Sequence, residues 1–181
     1  MSNSLKALYS SNAVFMVAES MLIPLYAIFA EELGASFVTI GYLAATAVAA
    51  RIGGLIIVRY FDNGQFSSRY YLIGGFLLRG IAWAGLIFAS TLPVLFIIQI
   101  IIGLGAAVGS PGFLAFFAEH LDEEERIKGS ANWGIIEGIA GTIGTASAGY
   151  IVTYLGFDAL FALMASGAVL ASFVFYAYTA K

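Results

Sequence analysis

Six apolar runs, each near the 20 residues needed to cross a bilayer as a helix, follow one another with polar punctuation between them. They fall at about 7–30, 37–60, 70–90, 93–118, 130–154 and 157–179. No soluble globule hides that much apolar surface in 181 residues. The mean hydropathy of +0.93 and a charged fraction of only 10% place the chain in lipid. A helix bundle is the expected fold, because in lipid the backbone must satisfy its own hydrogen bonds. The expectation is therefore an all-α polytopic membrane protein forming one six-helix domain over 1–181.

Charge gives the orientation. Lys6, Arg59, Arg69, Arg126, Lys128 and Lys181 fall at the N-terminus, the second loop, the fourth loop or the C-terminus, which all share one face. The opposite loops carry Glu31, Glu32 and Asp158 and no Lys or Arg. Positively charged short loops stay in the cytoplasm, so both termini are expected inside, in the inner (plasma) membrane. The first five residues lack a basic n-region and a cleavage site, so no removable signal peptide is read.

Composition also removes function classes. With no cysteine and the single His120, expected at the membrane interface, disulfides, thiolate metal sites and histidine clusters drop out, and no cofactor is expected. A net charge of −3 offers no basic patch for nucleic acid. No nucleophile, base and orienting group come together at membrane depth, so an enzyme is not expected.

The 21 glycines suggest close helix packing, with Gly105 and Gly109 in the fourth span and Gly134, Gly138, Gly141 and Gly144 in the fifth at helix-face spacing. A short internal repeat carries more. Phe29-Ala30-Glu31-Glu32-Leu33 ends the first span and Phe117-Ala118-Glu119-His120-Leu121 the fourth, each preceded by a proline, Pro24 or Pro111, expected to kink its helix. Copies three helices apart point in opposite directions across the membrane, which predicts an inverted three-plus-three repeat.

These residues resemble a known family. Ile23-Pro24-Leu25-Tyr26 through Glu31-Glu32-Leu33-Gly34 is similar to the first helix and outer loop of major facilitator superfamily transporters, especially their multidrug-efflux members. Asp62, Gly64 and Arg69 resemble that family's loop between helices two and three, where an Asp and a basic cluster latch the cytoplasmic side. Val58 and Asn63 stand where the loop pattern has a glycine and a basic residue. Gln99 through Gly103, with Gly105 and Gly109, resembles the fourth-helix motif, with glutamine in place of its arginine. The acidic run Asp122 to Glu125 resembles the fourth loop, and Gly149 through Phe161 the join of helices five and six. The fifth-helix glycines resemble an antiporter motif whose proline is replaced by Ile139. The resemblance covers one six-helix half of a twelve-helix body, similar to the N-terminal half. It implies one wall of a central cavity, the other coming from a second copy in a parallel homodimer or from another six-helix half.

Ionisable groups at membrane depth are expensive and by default functional, which singles out Glu19, Arg51, Arg79 and Glu137. Asn12, Glu19 and Tyr26 repeat every seven residues and predict a polar stripe facing a cavity. Burial favours the neutral form of a carboxyl, so Glu19 is a candidate to bind substrate or exchange a proton near neutral pH, against a plain pairing within the bundle. Arg51 and Glu137 sit at matching depth, about 12 Å from the cytoplasmic ends of their spans, and are expected to meet, as a structural ion pair or as a gate. The resemblance implies that the third helix, with Arg79, lies away from the cavity, in a structural pairing or a dimer interface. Trp133 falls in a ladder with Glu137 and Gly141 and is a candidate to line the cavity, as is Gln99. The leading expectation is a secondary transporter moving a small amphipathic molecule by alternating access, as proton-coupled efflux. Its rivals are a sugar or metabolite carrier and a non-transporting membrane subunit.

Overall fold

A computed structural model describes residues 3–64, 66–121 and 123–179. Asp122, the side chain of Glu123, and Lys181 lie outside what it describes. The elements are α1 (Asn3–Leu22), α2 (Tyr26–Glu32), α3 (Phe37–Phe61), α4 (Ser68–Leu86), α5 (Leu92–Glu119), a 3-10 turn (Glu123–Glu125) and α6 (Arg126–Thr179). No strand occurs among the described residues.

Three of these helices, α3, α5 and α6, are long and apolar enough to cross a membrane, and α1 with α2 makes a fourth, bent by 44°. α4 carries Arg69 and Arg79 within 19 residues and is not marked by length and composition alone. It ends at Leu86, short of the expected residue 90.

At 1.5 Å per residue the 54 residues of α6 would run about 81 Å, far more than the roughly 30 Å of a hydrocarbon core. Gly156 breaks it, with φ 82° and ψ 173°, a conformation only glycine adopts without strain. Two arms result, 126–155 and 157–179. Gly144 and Gly167 stand on either side of the break, and both abut α1, at Val17 and Ser20 and at Val14 and Ala18. The arms therefore run antiparallel past the same stretch of α1.

The two prolines behave differently. Around Pro24 the helix gives way to a turn, with the Leu25 N–H bonded to the Leu22 carbonyl at 3.1 Å before α2 begins. α5 stays helical through Pro111, so the two prolines are not matched in breaking their helices. The neighbouring turn of α5 is clamped: Gly112 lies against the backbone of Leu72 and Ser68, leaving the helix no room to swing.

Glycine contacts fix the neighbour order. Gly103 and Gly54 join α5 to α3, at Ala47 and Ala50 and at Leu104 and Ala107, and Gly75 meets Gly109 between α4 and α5. Gly80 meets Ala168 between α4 and the second arm of α6. The bundle thus reads α3, α5, α4, second arm, α1, first arm. Its centre is closed by aromatic side chains, with Phe15 of α1 stacked on Phe76 and Trp83 of α4 at ring separations of 4.5 and 5.2 Å. Phe29 packs on Phe161 at 4.8 Å, and Phe116 on Phe175 at 4.9 Å. The two ends of this order are the least covered. α3 buries only Leu43 and Gly54.

Candidate functional site

Between α1, α3, α4, α5 and the first arm of α6 lies a cavity of about 380 Å³. Asn12, Phe15 and Glu19 reach it from α1, Arg51 from α3, Arg79 from α4, Ser110 and Phe113 from α5, and Trp133 and Glu137 from α6. Four ionisable side chains of the membrane interior therefore converge on one space.

The glycines of α5 make room for one of them. A Cβ on Gly105 would stand 2.7 Å from Cγ of Arg79, and one on Gly109 3.5 Å from its Nη2. With neither present, the arginine passes along α5 into the cavity. There Nη1 of Arg79 donates to a carboxylate oxygen of Glu19, and the guanidinium lies 4.2 Å above the ring of Phe15. The side chains of Arg79 and Glu19 are 11% and 31% exposed, so the pair is held mainly in protein. Its Coulombic attraction and the aromatic face offset a desolvation cost of several kcal/mol per ion. Nε of Arg79 is buried without a hydrogen-bond partner among the described residues.

This overturns two expectations. Arg79 lines the cavity rather than lying away from it, and it is Glu19's partner. Arg51 and Glu137 line the same cavity but form no ion pair, the Glu19–Arg79 bridge being the only one among the described residues. Both are exposed. The reason is lateral position: matching depth brings two residues level, but α3 and the first arm of α6 stand at opposite ends of the helix order.

The stripe on α1 is likewise only partly in the cavity. Asn12 and Glu19 line it, and the Asn12 amide donates to the Leu8 carbonyl at 2.9 Å. Tyr26 does not, because the break at Pro24 redirects the chain before it. Its hydroxyl is buried beside Gln99 without a well-formed hydrogen bond, and Gln99 is itself 7% exposed and away from the cavity. Trp133 does line the cavity, set between Phe113 at 4.9 Å and Tyr9 at 6.1 Å. The Tyr9 hydroxyl donates to the Gly129 carbonyl at 3.1 Å, tying α1 to the start of α6.

The loop residues Asp62, Gly64 and Arg69 separate into two contacts. Asp62 accepts hydrogen bonds from the Tyr71 hydroxyl at 3.1 Å and from the Gly64 N–H at 3.2 Å, where Gly64 has φ 74°. Arg69 turns away. It donates to the Thr179 carbonyl at 2.6 Å and lies 4.8 Å from the Tyr176 ring, so it caps the carbonyl end of α6, where a cation is favoured. Nearby, the Ser68 hydroxyl donates to the Glu119 carboxylate at 2.9 Å, joining the start of α4 to the end of α5. His120 packs on Phe116 at 4.1 Å, with Nδ1 2.9 Å from the Phe116 carbonyl.

Sequence reasoning missed Arg79, Phe15 and Ser110 as cavity residues. A signal existed for Arg79, since a lone cation and a lone carboxylate at membrane depth each require an opposite charge. Chemically, the site is a carboxylate held by a single arginine.

A comparison with curated proteins finds no match. Over residues 8–181 the sequence matches the family model described as Major Facilitator Superfamily. With apolar helices long enough to span a bilayer and a match over nearly the whole chain, this integral membrane protein belongs to the major facilitator superfamily and is a transporter of that type.

Proposed function

We propose that the chain moves a small amphipathic molecule across the inner membrane by alternating access, exporting it in exchange for protons taken up at Glu19. The observation that carries this reading is the Glu19–Arg79 ion pair, set in a cavity walled by Phe15, Phe113 and Trp133. A buried ion pair is sensitive to one proton. Protonating Glu19 frees Arg79, and rebinding of the pair expels the proton. A pair that alternates in this way links proton uptake to a change in how α1 packs on α4.

In this reading the chain crosses the membrane six times, with its termini in the cytoplasm, as an inverted repeat of three and three helices. The helix order supports the repeat: exchanging first with fourth, second with fifth and third with sixth crossings reproduces the same order read backwards. Alternating access needs a second bundle across the cavity, which a second copy or another six-helix chain would supply.

The test is flux. The protein in liposomes with an imposed proton gradient is expected to concentrate fluorescent amphipathic cations or zwitterions against their gradient. Glu19→Gln is expected to abolish gradient-driven accumulation. Gradient-driven accumulation that survives in Glu19→Gln removes Glu19 from the mechanism, and absence of any flux rejects the carrier reading.

A further inference from the structure

Arg51 and Glu137 pose a physical problem that the single chain does not solve. Each is a charge within an apolar helix, both are exposed, and neither has an ion-pair partner within 4 Å among the described residues. Charges in such positions pair or meet water. They also share a depth. Arg51 lies ten residues before the end of α3 at Phe61, about 15 Å, and Glu137 eleven residues after the start of α6 at Arg126, about 16 Å. Those two ends lie on one face: Asp62 and Tyr71 are bonded across the loop from α3 to α4, and the start of α4 is bonded to the end of α5, next to α6.

We infer that this surface binds a second copy of the chain, with Arg51 of each copy paired to Glu137 of the other. A two-fold axis along the membrane normal preserves depth and exchanges the α3 end of the bundle for the first arm of α6. It therefore sets each arginine against the opposite carboxylate, giving two equivalent pairs. The surroundings agree. Gly134, Gly138 and Gly141 flank Glu137, and a Cβ on any of them would meet nothing within 4 Å, whereas Gly75, Gly103 and Gly144 abut backbone of their own chain. Small residues in lipid serve close helix approach, and here the approaching helix is not part of the chain. This inference names the partner in the carrier reading above and is tested by association rather than flux.

The absence of cysteine permits a direct test. Full-length Arg51→Cys and Glu137→Cys chains, differently tagged and co-expressed, are oxidised mildly in native membranes. The expected result is a disulfide-linked dimer bearing both tags, absent when either variant is expressed alone. In native mass measurements from lipid discs, Arg51→Glu or Glu137→Arg alone is expected to weaken the dimer about tenfold or more, and the double reversal to restore it. The inference is overturned by a two-tag product no more abundant than the single-variant products, by a chain bearing both cysteines that closes on itself as a monomer, or by a dimer indifferent to both reversals. Flux through such an indifferent dimer would leave the carrier reading standing.

Discussion

The two pairs of intramembrane charges have the same chemistry and different fates. Glu19 and Arg79 sit on helices whose side chains interlock at the centre of the bundle, and they find each other. Arg51 and Glu137 sit on the two helices at the ends of the packing order, exposed and without an ion pair among the described residues. The glycines divide the same way: Gly75 of α4 and Gly105 and Gly109 of α5 let those two helices approach, whereas Gly134, Gly138 and Gly141 face open space. Residues that satisfy one another within the chain belong to its folding.

Substitutions on each side of that division test it. The largest effect is expected from Gly75→Leu, which drives a side chain into the backbone of Gly109. It should abolish accumulation of folded protein, read by size-exclusion chromatography in detergent, while Gly138→Leu leaves folded yield near wild type. Next, Arg79→Gln leaves the Glu19 carboxylate without its cation. A loss on the order of 3 kcal/mol in denaturant unfolding is expected, with Glu19→Gln similar because Arg79 is then stranded. Arg51→Gln and Glu137→Gln are expected to change the stability of a single chain by less than about 0.5 kcal/mol, since the chain gives them no ion-pair partner to lose. A loss as large as that of Arg79→Gln would erase the contrast. Tyr71→Phe, which removes one exposed hydrogen bond to Asp62, is likewise expected to cost no more than about 0.5 kcal/mol in the same assay.

Much of the fold could be read in advance from particular residues. The apolar runs name a membrane bundle and place separate runs at about 130–154 and 157–179; that the join is a single residue, Gly156 at positive φ, is visible only in the structure. The residues of the site were partly legible: Asn12, Glu19, Trp133 and Glu137 were singled out and all line the cavity. Tyr26 and Gln99 were singled out too and do not. Arg79 was placed wrongly because helical spacing gives a residue's height and its own face but is silent on which helix stands opposite.

Residue order alone sets the solvent and the height of each group. Lipid selects long apolar helices, and at 1.5 Å per residue the position of a charge along a helix sets its depth. Packing added the lateral arrangement: that α4 rather than α3 brings its arginine to Glu19, that α5 stays helical through Pro111 while the chain bends at Pro24, and that Arg69 closes the end of α6 instead of joining Asp62. Lateral order depends on which small residues allow two backbones to approach, a relation between distant segments that no local pattern encodes.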